Sequence, residues 1–211
     1  MEKRVLEHSM YPEKLDCGLD EAGRGALCGR VYAAAVILPP ASSFPDEFYL
    51  SINDSKALSA KKRFILSEYI KKHALAYAVT YAEVDDIDRL NILQATMEAM
   101  HDAIRTIKTQ SPVEHLTIDG SYWRTMTGSD AYIPVTCAVD GDQKYRHVAA
   151  ASILAKTHRD AYMLEIAVAN PDFEAKYKWS KNKGYGTAEH MAGIKAFGIS
   201  PHHRKSFAPC K

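Results

Sequence analysis

Four acids could carry chemistry in this chain: the adjacent pair Asp20 and Glu21, then Asp119 before Gly120, then Asp142 in an Asp-Gly-Asp run that begins at Asp140. Each falls where a strand of the hydrophobic pattern runs out, and loops at strand ends are where α/β folds collect catalytic side chains. Several carboxylates without histidine or cysteine beside them make a hard oxygen site that favours Mg2+ or Mn2+ over zinc. Two such ions roughly 4 Å apart can activate water on one side of a phosphorus and neutralise the leaving 3′ oxygen on the other. The chemistry expected is therefore phosphodiester hydrolysis. Spacing alone leaves alternatives open. Neighbours on a continuing strand face opposite ways, so Asp20 and Glu21 share a site only if the strand stops or bends there, as the glycines that follow suggest. Asp119 before a glycine also fits a turn former, and Asp140 competes with Asp142. Asp160 falls within a helix and reads as a surface or packing acid.

The elements that must position these acids follow from the period of the apolar residues. A short strand is expected at 15–19, and the nearly unbroken apolar run at 31–38 makes a second, giving a hairpin with the glycine-rich stretch between them. Ser59 is placed to cap a helix through about 73, with Phe64, Ile65, Tyr69 and Ile70 at helical spacing. Residues 75–82 alternate like a returning strand. Asn91, with Gln94 in a capping-box arrangement, opens a helix to about 107. Short strands at 116–118 and 133–139 lead to an alanine-rich helix over 147–169 that closes at Asn170-Pro171. Thr187 caps a last helix that ends at Gly198. Strands in succession followed by strands alternating with helices predict an α/β fold: a mixed sheet with helices on its faces.

The composition fits that reading: of 211 residues, 46% are hydrophobic and 25% charged, enough to bury a core. One domain is expected at 1–170, with a helical C-terminal segment at 171–211 that completes a substrate groove. Cys17, Cys28, Cys137 and Cys210 show no metal-finger spacing and read as reduced thiols of a soluble, cytoplasmic protein. No apolar run approaches the roughly 20 residues a membrane helix needs. The net charge of +1 hides an asymmetry, since residues 176–211 carry eight Lys or Arg against Glu189 alone. A basic tail beside an acidic body suits a polyanion lying across both.

Gly18-Leu19-Asp20-Glu21-Ala22-Gly23-Arg24-Gly25 resembles the signature that opens the type 2 ribonucleases H, the bacterial ribonuclease HII group. Asp54 to Ser59, Ile118-Asp119-Gly120, Tyr145 to Asp160 and Lys183 to His190 resemble four further motifs of that family, in family order and covering nearly the whole chain. The resemblance implies a ribonuclease H-like fold, a five-stranded mixed sheet flanked by helices. It implies an endoribonuclease that cuts the RNA strand of RNA/DNA hybrids and nicks duplex DNA 5′ of single ribonucleotides, leaving 3′-hydroxyl and 5′-phosphate ends. Such a monomeric enzyme would serve ribonucleotide removal and RNA primer degradation. It assigns Asp20, Glu21, Asp119 and Asp142 to Mg2+ or Mn2+, the last by its place just upstream of the Ala-Ala-Ser-Ile run.

The resemblance also implies that Gly23-Arg24-Gly25 and Tyr185 read the junction between a ribonucleotide and the deoxyribonucleotide after it. Glycines let main-chain groups approach a 2′-hydroxyl, the atom that separates RNA from DNA, and a tyrosine offers a flat face to sugar or base. Lys56 is expected at a phosphate near the scissile one, with a solvated lysine as the plain alternative. Lys181, Lys183, Arg204 and Lys205 are expected on backbone phosphates. The chain departs from the family pattern at Ala26 and Arg30, where prolines are usual, which leaves the turn less rigid and puts a charge at the start of the second strand.

Overall fold

Strand β1 (Asp16–Ala22) and strand β2 (Val31–Ile37) are buried along almost their whole length, which is why the second reads as a continuous apolar run rather than an alternation. They lie at the centre of the sheet. The computed structural model describes residues 5–211. After β2 come helix α1 (Ala60–His73), strand β3 (Ala76–Ala82), helix α2 (Val84–Leu90) and helix α3 (Ile92–Lys108). Strand β4 (His115–Asp119), strand β5 (Val135–Ala138) and helix α4 (Arg146–Ala169) follow, and helices α5 (Pro171–Tyr177), α6 (Trp179–Asn182) and α7 (Ala188–Phe197) close the chain. The sheet order is β3-β2-β1-β4-β5. β1, β2 and β3 pair antiparallel, whereas β4 and β5 extend β1 in parallel, so the expected hairpin and mixed sheet are both present.

One face of the sheet packs Val31, Ala33, Ala35 and Ile37 against α3 through Ala95, Ala99, Ala103, Ile104 and Ile107. The other packs Ala34 and Val36 against α4 and α1. Consecutive alanines 149–151 let α4 lie close to β1, and at Gly18 the two are so near that a Cβ would sit 2.5 Å from the carbonyl carbon of His147. Any side chain there would push α4 off the sheet. Ser59 caps α1 as expected, but the buried face of that helix is Leu66, Ser67 and Ile70, while Phe64 and Ile65 face solvent. Asn91 accepts from the Gln94 amide, yet Gln94 turns its side chain to Arg124 instead of completing the box.

α2, α5 and α6 went unanticipated in the periodicity. Pro171 was read only as the stop of α4, but it occupies the first turn of α5, where its missing N–H costs nothing. Tyr177 and Trp179 are buried with Cys28, Met163 and Ala167, so a small third core fastens the C-terminal segment to α4. No helix among the described residues is long and apolar enough to cross a membrane.

Candidate active site

β1 does not stop at the acids. Asp20 and Glu21 stay paired with Ala34 and Ala33 of β2, but the ladder with β4 ends at Leu19 and Ile118. The neighbouring strand ends instead of β1, and both acids line one cavity of about 420 Å3 together with Gly23, Arg24, Lys56 and Tyr185. Asp20 is buried; its Oδ1 accepts the Glu21 amide at 2.6 Å, and the Ser152 hydroxyl of α4, which hydrogen-bonds Ser55 at 2.9 Å, works to lower the pKa of its carboxyl. Glu21 takes a bond from Arg24 Nη1 at 3.2 Å. Asp119 ends β4 and its Oδ1 accepts the Gly141 amide at 2.7 Å. That bond fixes the turn carrying Asp142, which is 2% exposed. Asp140, in a left-handed conformation with φ 54°, points to solvent, so the turn delivers Asp142 to the cluster and leaves Asp140 outside it.

The cluster is electrostatically strained. Burial, then the charges of Glu21 and Asp119, hold the Asp20 carboxyl well above the usual carboxylate range. Burial also raises Glu21, with Asp119 adding to it and Arg24 and Lys56 opposing. Burial and the charge of Asp119 push Asp142 up to about 6. Its Oδ2 has no hydrogen-bond partner among the described residues, and Lys56 Nζ stands 4.0 Å away. Burial works against the charge on Lys56, but Asp142, Asp20, Asp54 and Asp119 outweigh it and raise its pKa. Buried, mutually repelling carboxylates with a bare oxygen ask for more positive charge than two flexible side chains supply. Among the described residues no three His, Cys, Asp or Glu side chains close into a ready-made metal cage. An open acid cluster of this kind fits Mg2+ or Mn2+, since Mg2+ keeps several waters and takes only one or two carboxylates directly.

The opposite wall is Gly23, Arg24 and Tyr185, with Gly25 exposed just beyond it. Gly23 has φ 98°, and a Cβ on it would meet Arg159 Nε at 2.8 Å, whereas a Cβ on Gly25 would meet nothing within 4 Å. The Tyr185 ring lies under the Arg159 guanidinium at 4.7 Å and the Lys156 ammonium at 5.4 Å. The C-terminal segment holds the turn from behind, Leu27 donating to the Gly184 carbonyl at 2.8 Å.

Arg204 is a correction. It was expected on a phosphate, but it is fully buried and its guanidinium donates to the carbonyls of Gly29, Arg24, Ala26 and Arg30. It shapes the turn from inside and cannot reach a ligand in solvent. Of the other cations, Lys183 is half-buried and donates to the Ser180 carbonyl, Lys181 pairs with Glu189, and Lys56 and Lys205 stay exposed. Asp160 is a packing acid, joining Arg63 of α1 to Lys156 of α4. Arg30 is accommodated: it bonds Glu83 and stacks between Tyr81 and Tyr162.

Ser152, Lys156 and Arg159 escaped the sequence reading although they lie at i, i+4 and i+7 on α4, the spacing of one helical face. Three polar residues in register within an alanine-rich helix were the available signal. A second cavity, of about 190 Å3, lies at the other end of β1 against Asp16 and His147 and shares none of the four acids.

Comparison with known proteins bears on this site. A family model for ribonuclease HII matches residues 17–210. The chain is 47% identical to a ribonuclease HII of Parabacteroides distasonis over 198 residues, covering 94% of this chain and 92% of the relative. Among solved structures it is similar to ribonuclease H2 of Pyrococcus horikoshii, with TM-score 0.68 and 20% identity over 92% of this chain and 94% of that one. It is also similar to Bst ribonuclease HIII in complex with Mn2+, with TM-score 0.71 and 19% identity over 95% of this chain and 70% of that one.

Proposed function

The chain belongs to the ribonuclease HII family of ribonuclease H endonucleases, and from that premise we propose that it cuts duplex DNA on the 5′ side of a single embedded ribonucleotide as well as the RNA strand of RNA/DNA hybrids. The products would be 3′-hydroxyl and 5′-phosphate ends, and the cellular role ribonucleotide removal and RNA primer degradation. The observation that carries the reading is the juxtaposition of two of the acids, Asp20 and Glu21, with Gly23, Arg24 and Tyr185 around one cavity.

Asp20, Glu21, Asp119 and Asp142 would hold Mg2+ or Mn2+. Bound there, divalent ions supply activation of the attacking water and neutralisation of the leaving oxygen. Lys56, hanging over Asp142 on an exposed stem, is placed to draw a phosphate of the scissile strand towards the acids. On the far wall, Gly25 leaves open space in which main-chain groups can meet a ribose 2′-hydroxyl. The Tyr185 ring, held by two cations, offers a fixed surface for the sugar that follows. Segment 171–211 completes the groove by carrying Tyr185 and bracing the turn.

The test is Asp20→Asn, which removes one negative ligand at nearly constant volume. Without metal the variant should melt no lower than the wild type, because a carboxyl held above its usual range by burial and repulsion is removed, and it should lose most cleavage of a ribonucleotide-containing duplex. Full activity in that variant would refute the assignment.

A further inference from the structure

Behind Tyr185 lies a chain of hydrogen bonds whose direction can be worked out. The Ser200 amide is an obligate donor, and it points at His203 Nδ1 at 2.9 Å. His203 Nδ1 is therefore the acceptor and its proton sits on Nε2. That Nε2 lies 3.0 Å from His190 Nε2, which must then accept, leaving the His190 proton on Nδ1. His190 Nδ1 faces the Tyr185 carbonyl, an obligate acceptor, at 3.0 Å. The tautomers agree at every link, and Trp179 Nε1 reinforces the middle one with a longer bond to His190 Nε2 at 3.4 Å. Both rings are fully buried. Burial and the neighbouring His190 hold His203 down to about 4, as a relay with no room for an extra proton requires.

We propose that His190 and His203 are positioning residues that set the height of Tyr185 in the notch, so that the aromatic ring meets the sugar–phosphate junction without reorganising on binding. The proposal rests on the reading of Tyr185 as a substrate-contacting group. The ring is fixed from the front by Arg159 and Lys156, but nothing in those contacts fixes the main chain, which passes through a left-handed residue at Lys183 and a glycine at φ 77° just before Tyr185. Backbone bonds from the Tyr185 amide to the Asn182 carbonyl and from the Thr187 amide to the Tyr185 carbonyl hold it locally, and the relay adds a longer-range constraint, tying residue 185 to the first turn of α7 and to the 200–203 turn. Preorganisation of this kind lowers the cost of binding and leaves the acids that break the bond unchanged.

The experiment uses steady-state cleavage of a duplex containing one ribonucleotide by the full chain. Asn places its amide nitrogen where His190 has Nδ1, and Gln places it where Nε2 lies. His190→Asn should therefore keep KM near wild type, while His190→Gln should raise KM about five-fold, the worth of one hydrogen bond, with kcat within about two-fold. In a Tyr185→Ala background, His190→Gln should change KM no further. If the His190 variants do not fold, as judged by circular dichroism, His203→Gln and His203→Asn make the same comparison one link away, Gln being the one that keeps the donor. Equal KM for the Asn and Gln variants, or an equal rise in the Tyr185→Ala background, overturns the proposal. A Tyr185→Ala enzyme with wild-type KM overturns the reading of Tyr185 itself and the proposal with it, which separates the two failures.

Discussion

Asp119 Oδ1 accepts the Gly141 amide at 2.7 Å, so the acid that ends β4 fastens the turn that presents the acid at residue 142. Two members of the cluster, far apart in sequence, are thus one mechanical unit. Asp119 has a structural task that an amide could perform and an electrostatic one that it could not.

Asp119→Asn should accordingly keep the turn, because its side-chain oxygen can still accept from Gly141, while removing most cleavage. Asp119→Ala should lose cleavage and also about 1 kcal/mol of stability, with Gly141 left without its partner. Thermal melting of both variants checks this; equal melting temperatures would show that the bond to Gly141 contributes nothing.

Asp142→Asn should stabilise the protein in the absence of divalent cations. A carboxyl raised to about 6 in the folded state binds a proton more tightly there than when unfolded, so it opposes folding at neutral pH, and the penalty disappears as pH falls through 6 towards the unfolded value. At pH 7.5 the gain should be on the order of 1–3 kcal/mol, shrinking below pH 5. Added Mg2+ should raise the melting temperature of the wild type more than that of the variant. A variant less stable than wild type at pH 7.5 without metal would contradict the picture of a strained cluster.

Gly25→Ala and Gly23→Ala should separate. The first adds a methyl to open space, so stability should stay within about 0.5 kcal/mol while KM for a ribonucleotide-containing duplex rises about ten-fold through a clash with the incoming strand. The second forces a side chain against Arg159 at positive φ and should lower the melting temperature. Unchanged KM for Gly25→Ala would remove the turn from the substrate surface.

Much of the fold was open to reading because its signals are local. The apolar run of β2, the caps at Ser59, Asn91 and Thr187, and the Asn170-Pro171 stop each depend on a few neighbouring residues. The four acids were found as residue types at strand ends, but two relationships among them were not: β1 continues through Asp20 and Glu21 because its partner ends, and Gly141 turns Asp142 inward and Asp140 outward. Both depend on pairing across the sheet. Arg204 shows the deeper limit. Counting charge along a basic tail cannot tell a cation in solvent from one enclosed by four carbonyls, since enclosure is decided by the turn at residues 24–30, distant in sequence.

Arg204→Met should therefore behave as a core substitution. Carbonyls left without a donor should lower stability by roughly 3 kcal/mol, or about 6–12 °C in melting temperature for a chain of this size. The salt dependence of substrate binding should remain that of the wild type, because no phosphate contact is lost. A reduced salt slope with an unchanged melting temperature would return Arg204 to the substrate surface.

The most direct test is to incubate the protein with Mg2+ or Mn2+ and a DNA duplex containing one ribonucleotide, beside an all-DNA duplex of the same sequence. A single nick on the 5′ side of the ribonucleotide, bearing a 3′-hydroxyl, with the all-DNA control intact, is the predicted result. An uncut ribonucleotide duplex, or equal cutting of both, would contradict it.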